Sequence, residues 1–204
     1  MLQLMASSSM IRVAGLGVTL VTSVVLARFL GPEGFGYYSF ALAVVTIVGL
    51  PVHGGLATLT LRETAKAHAG KKWGLLRGLW NWTNTIAVFL SLGLMVVFAV
   101  LAWLSADQVV PLGGMATLLV SLLLLPLIAM AQKHGAAIRG LHRPVLGVVP
   151  DSIVRPFCLI GLLSLVWFDG GSITPRSAMQ LHVLAAIVAM VIAYFIREDH
   201  LTFD

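Results

Sequence analysis

Residues 85–104 read TIAVFLSLGLMVVFAVLAWL and contain no charged side chain. At 1.5 Å of rise per residue a helix of this length covers about 30 Å, the thickness of a bilayer's hydrocarbon core. Five further apolar runs flank it: Val13 to Leu30, Tyr38 to Leu56, Leu112 to Ala131, Val145 to Phe168 and Met179 to Ile196. The pattern predicts one all-α unit over residues 1–204, a polytopic membrane helix bundle of about six transmembrane helices.

Composition agrees. Of the 204 residues 59% are hydrophobic and only 10% charged, against roughly 25% charged in a soluble domain, and the mean hydropathy is +0.98. So much apolar surface needs lipid, which argues against a soluble enzyme. The formal net charge of +5 sits between the apolar runs and lacks the aromatic interleaving of a nucleic-acid groove, so no nucleic-acid partner is expected. The lone Cys158 falls inside an apolar run and cannot form an intramolecular disulfide. The first run is long for a signal sequence and only Arg12 precedes it, so it reads as a retained helix.

Orientation follows from the Lys/Arg imbalance. Arg62, Lys66, Lys71, Lys72 and Arg77 lie between the second and third runs, and Lys133, Arg139 and Arg143 between the fourth and fifth, with Arg12 and Arg197 on that same side. The opposite connections carry only Arg176, with Arg28 at the very end of the first run. The positive-inside rule therefore predicts that both termini are cytoplasmic, in a cell inner membrane. Trp80 and Trp82 at one end of the third run and Trp103 at the other fit aromatic belts at the two interfaces. The segment from Arg62 to Gly78 has regular apolar spacing and is expected to form helical extensions near anionic headgroups; a topology determinant alone accounts for it as well.

Small residues recur every fourth position in the first run, at Gly15, Thr19, Ser23 and Ala27, and again in the last at Ala185, Ala189 and Ala193. Such stripes let another backbone approach closely; a cavity wall is the other reading. Pro51, Pro126, Pro150 and Pro156 each remove an intrahelical hydrogen bond and can kink their helices.

Asp151 and Arg155 are the most informative pair. Four residues apart on one helical face, they lie roughly 10 to 15 Å into the fifth run, where each ionised group costs about 2.5 to 3.5 kcal/mol. They form either a self-compensating ion pair or the polar lining of a cavity for anionic cargo. His53, beside Pro51, Gly54 and Gly55, reads as a hydrogen-bonded packing residue or part of a broken helix lining a cavity. His134 and His142 lie in a polar connection without metal-ligand spacing, so neither a metal site nor a cofactor is expected; Asp107 and Asp169 are isolated in outer connections, which leaves no cluster of catalytic acids for a membrane-embedded glycosyltransferase. The phosphate loop, the dinucleotide fingerprint, the nucleophile elbow and the zincin motif are all missing, AGKKWG being only superficially like the first. Asn81, Trp82 and Thr83 match a glycosylation sequon on the side expected to be cytoplasmic, where chance explains it.

Three stretches carry a family resemblance: ARFLGPEGFGYYSFA from Ala27 to Ala41, GLATLTLRETAK from Gly55 to Lys66, and AAIRGLHRPVLGVVPDSIVRP from Ala136 to Pro156. In order and spacing they resemble Wzx-type polysaccharide flippases of the multidrug, oligosaccharidyl-lipid and polysaccharide exporter superfamily. The resemblance implies a non-enzymatic carrier that moves polyprenyl pyrophosphate-linked oligosaccharide across the bacterial cytoplasmic membrane, with cavity-facing cations holding pyrophosphate and acidic sugars. The matching positions are Arg28, Arg62, Arg139 and Arg155, with Glu33 a weaker candidate; the first three also lie near run ends, where they can snorkel to headgroups. Such flippases resemble two six-helix lobes, of which this sequence shows one, so either a homodimer or a missing second lobe completes the carrier, or the chain is a truncated or split form that inserts without transporting. A cation-coupled drug exporter with Asp151 as coupling carboxylate, and a membrane scaffold for envelope biosynthesis, are the alternatives.

Overall fold

A computed structural model describes residues 2–104, 112–141 and 143–199, without the side chains of residues 2–9, 11–12, 53–54, 112–113 and 199. Asp107, His142 and the side chains of Arg12 and His53 thus lie outside the described residues. The order is α1 (Leu2–Leu50), a wide π-helical segment (Pro51–Leu56), α2 (Ala57–Ala69), α3 (Trp73–Leu104), α4 (Leu112–Leu122), α5 (Leu124–Gly140), a second π-helical segment (Pro150–Val154), α6 (Arg155–Phe168) and α7 (Pro175–Asp199). There is no strand among the described residues.

Among the described residues five helices are long and apolar enough to cross a membrane. The first of them, Val13–Leu50, has 38 residues, about twice the roughly 20 that one crossing needs. It is broken at Gly31, where φ is 68° and ψ is 176°, and Pro32 follows. Only a residue without Cβ takes this conformation readily, and the proline cannot donate to the preceding turn. The two limbs of α1 correspond to the first two expected spans, joined at one residue rather than by a loop.

Other boundaries differ from the hydropathy runs in an informative way. α3 begins at Trp73, well before Thr85, and α5 continues through Lys133, His134 and Arg139 to Gly140. Hydropathy marks where lipid touches the chain, whereas a helix continues wherever its backbone stays bonded and its face packed. His134, expected in a polar connection, is therefore a buried helical residue. Trp80 is buried as well and donates from Nε1 to Thr64 Oγ1 at 2.9 Å, so it belongs to the bundle interior; Trp82 and Trp103 are the exposed ones.

The core sits where α1, α4, α6 and α7 meet, around Leu26, Tyr38, Val45, Leu122, Leu159, Leu163 and Met179. Ala185, Ala189 and Ala193 are all fully buried, as their spacing suggested. The α1 stripe divides: Gly15 packs against Ser152, with only 2.9 Å between its Cβ position and Ser152 Cβ, while Thr19 and Ser23 are exposed. α5 is the most enclosed helix over 133–140 and packs on α2, α3 and α7. Glycine permits this. A Cβ on Gly140 would lie 2.7 Å from Thr64 Cβ of α2, and one on Gly135 would lie 2.5 Å from the Gly147 carbonyl oxygen.

Candidate functional site: a cationic cavity between α1, α5 and α6

The second π-helical segment creates the site. Pro150 and Pro156 bracket it, and the proline at 156 offers no N–H to the turn before it. Arg155 N–H instead donates to the Pro150 carbonyl, five residues back, which widens the helix by a residue per turn. The widened turn presents Asp151, Ser152 and Arg155 to one cavity of about 500 Å³, completed by Gly15, Leu16 and Thr19 of α1, Ala131, Gln132 and Arg139 of α5, and Gly147, Val148 and Pro150. Gly147 is required here: its Cβ position lies 2.6 Å from Arg139 Cγ, so any side chain would displace the arginine stem.

Arg155 Nη1 approaches Asp151 Oδ1 at 3.2 Å, with the two side chains 25% and 33% exposed. That oxygen is itself shielded and has no partner in hydrogen-bond alignment, so the pair is a charge contact and not a forked bond. With Arg139 on the facing helix, the lining carries one positive charge in excess.

A narrower recess of about 100 Å³ continues from the same pair toward both limbs of α1, walled by Thr19, Thr22, Ser23, Leu26, Tyr38, Leu42, Leu159 and His182. Thr19, Thr22 and Ser23 donate their hydroxyls to the carbonyls of Gly15, Val18 and Thr19, at 2.9, 2.8 and 3.0 Å. Each hydroxyl keeps oxygen lone pairs available as acceptors. At the end of the recess Tyr38 Oη and His182 Nδ1 share a hydrogen bond of 2.6 Å.

Behind the cavity wall a second polar group ties the helices together. Lys133 Nζ donates to Asn84 Oδ1 of α3 at 2.5 Å. The Arg197 guanidinium of α7 meets His134 Nδ1 at 3.1 Å and Glu198 Oε1 at 2.5 Å, and lies 5.2 Å and 4.9 Å from the ring centroids of Trp80 and Tyr194. Desolvated cation–π contacts of this sort contribute about 1 to 2 kcal/mol.

The four arginines singled out from the sequence thus separate. Arg139 and Arg155 meet in the cavity with Asp151. Arg62 is exposed on α2, beside an open groove of about 460 Å³ formed with Gly55, Thr58, Leu59 and Glu63. Arg28 is exposed near the Gly31 break, where Glu33 accepts a hydrogen bond from Tyr37 Oη at 3.0 Å. Gln132, Tyr38 and His182 were not singled out as site residues. His182 is a polar side chain inside an apolar run, and Tyr38 and Gln132 lie at the edges of two others, which says that a group is polar there but not which way it faces. Among the described residues no three His, Cys, Asp or Glu side chains gather as metal ligands would.

Helices of this length and apolarity define a multi-pass α-helical membrane protein, with the polar cavity near the ends of three of them. The family model described as "Polysaccharide biosynthesis protein" matches residues 1–202. The chain belongs to that family. No curated protein and no solved structure matches it.

Proposed function

We propose that the chain forms a lobe of a carrier that moves polyprenyl pyrophosphate-linked oligosaccharide across the bacterial cytoplasmic membrane, with both termini inside. The observation that carries this reading is the shared cavity of Arg139 and Arg155, with one positive charge in excess, where the ends of three apolar helices meet. Keeping two arginines in one cavity with a single carboxylate suits a ligand that brings negative charge. A volume of about 500 Å³ holds a diphosphate and part of a glycan, within the ordinary range for ligand sites. Thr19, Gln132 and Ser152 offer the mixed donors and acceptors that sugar hydroxyls need. The exposed apolar side chains of the first α1 limb, among them Leu16, Leu20 and Val24, are suited to a second lobe that closes the cavity, contributed by another copy of the chain or by a partner.

No covalent step is involved. The carrier binds the headgroup from one side, reorients and releases it on the other, as family membership in polysaccharide biosynthesis fits. In a bacterium lacking its own flippase for lipid-linked oligosaccharide, Arg155→Ala should abolish surface polysaccharide while membrane-inserted protein stays at the level of the unaltered chain. Undiminished polysaccharide would remove the cavity from the account.

A further inference from the structure

We propose that Asp151 is a built-in competitor for the anionic cargo: it occupies Arg155 in the empty cavity and must give that guanidinium up when a diphosphate binds. The inference rests on the cavity reading above and adds a role in setting affinity and release. Three features of the pair support it.

Its contact is loose. Oδ1 sits 3.2 Å from Nη1, but no hydrogen-bond alignment is achieved, and the same oxygen is shielded from water. A well-made arginine–carboxylate pair is bidentate, and a pair intended only to neutralise two buried charges gains most from that geometry. Here one carboxylate oxygen is held near the cation without the bond that would fix it.

The pair is also within reach of a ligand. Both side chains are a quarter to a third exposed and both face the 500 Å³ cavity and its recess. A diphosphate entering from the Arg139 side meets Arg155 at the point where Asp151 holds it. The oxygens of a phosphate match a guanidinium fork better than the misaligned carboxylate does.

Third, the backbone beneath the pair is irregular. Asp151 lies in the wide turn and Arg155 at its end, between Pro150 and Pro156. In a turn of π-helical pitch, residues four apart stay on one face but are rotated about the axis from where an α-helix would put them. A small change in winding therefore separates or joins the two groups. Without a competitor, two arginines would hold a diphosphate tightly and release it slowly; a carboxylate that returns to Arg155 accelerates release, which a carrier needs as much as binding.

The test is a double-mutant cycle on the full chain in lipid nanodiscs, with a short prenyl diphosphate as probe and calorimetry as readout. Asp151→Asn should tighten binding about fivefold, the upper range for a part-exposed ion pair. Arg155→Ala should weaken it at least tenfold. In the Arg155→Ala background, Asp151→Asn should change affinity less than twofold, because no guanidinium remains to compete for. Asp151→Ser serves in place of Asp151→Asn should the latter not purify as a single species. Equal tightening in both backgrounds would reduce Asp151 to a distant repulsive charge and overturn the proposal, as would weakening or no change on Asp151→Asn while Arg155→Ala still weakens binding; in those cases the cavity reading stands. Binding unaffected by Arg155→Ala would overturn the cavity reading and the competitor together.

Discussion

Gly135→Ala should be among the most damaging single-methyl additions to this bundle. The added Cβ would lie 2.5 Å from the carbonyl oxygen of Gly147 and 3.6 Å from its carbonyl carbon, so the obstacle is backbone and no side chain can swing aside. Overpacking of this kind costs about 1 to 3 kcal/mol, and a rigid backbone neighbour places it near the top of that range. Alanine returns about 0.5 to 1 kcal/mol of helix propensity, for a net loss of roughly 1 to 2 kcal/mol. Gly161→Ala in α6 is the control, since nothing lies within 4 Å of its Cβ position; it should gain about 0.5 to 1 kcal/mol. The difference between the two, about 1.5 to 3 kcal/mol, corresponds to roughly 3 to 12 °C in thermal unfolding for a chain of this size. Thermal unfolding followed by circular dichroism in one detergent, with both variants side by side, measures it. Equal Tm values would mean that α5 and the 143–149 segment do not approach as closely as described. Gly135→Ala should also weaken binding of a prenyl diphosphate, because the displaced segment carries Gly147, whose Cβ position lies against the stem of Arg139.

Trp80→Phe removes the donor that Thr64 accepts from, 2.9 Å away, and should cost about 1 kcal/mol, read as a drop of a few degrees in Tm with probe affinity unchanged; a loss of affinity instead would place Trp80 in the binding path. Arg197→Ala leaves His134 and the two aromatic rings without their cation and should cost about 2 kcal/mol, whereas Arg176→Ala, on an exposed residue, should leave Tm within about 0.5 kcal/mol equivalent. In a Cys158→Ser background, Lys71→Cys on the exposed turn between α2 and α3 should react with a membrane-impermeant maleimide in inverted vesicles and not in intact cells; labelling of intact cells would reverse the orientation read from the basic residues.

Much of the bundle was legible because lipid imposes so simple a rule. A run such as residues 85–104 has few folds open to it other than a crossing helix. The rule is silent on what happens beyond the lipid. The extension of α3 back to Trp73, the burial of Lys133 and His134 and the inward turn of Trp80 depend on packing between α2, α3, α5 and α7. The Gly31 break shows the same limit: residues 31–37 fall between two apolar runs, yet the chain needs only one positive-φ glycine there and resumes its helix at once.

The site was legible in part. Asp151 and Arg155 stood out because charge inside an apolar run is costly, and their spacing placed them together before any contact was known. Arg139 entered only through the family resemblance, and nothing in the local sequence separated it from Arg28 or Arg62. What separates them is helix rotation: α5 turns Arg139 toward Gly147 and the cavity, while α2 turns Arg62 outward. The stripe of small residues on α1 had two readings, and both apply to different members, Gly15 to a close helix contact and Thr19 and Ser23 to the cavity and its recess.

The central claim, that the lipid-linked glycan's anionic headgroup enters the cavity of Arg139 and Arg155, is most directly tested by photocrosslinking in native membranes that contain radiolabelled lipid-linked oligosaccharide. A benzophenone side chain replacing Gln132, which lines the cavity, should capture the labelled lipid, and Arg155→Ala should abolish that capture. The same group replacing Phe89, exposed on α3, should capture bulk phospholipid only. Capture of the oligosaccharide at Phe89 but not at Gln132, or capture at Gln132 undiminished by Arg155→Ala, would contradict the account.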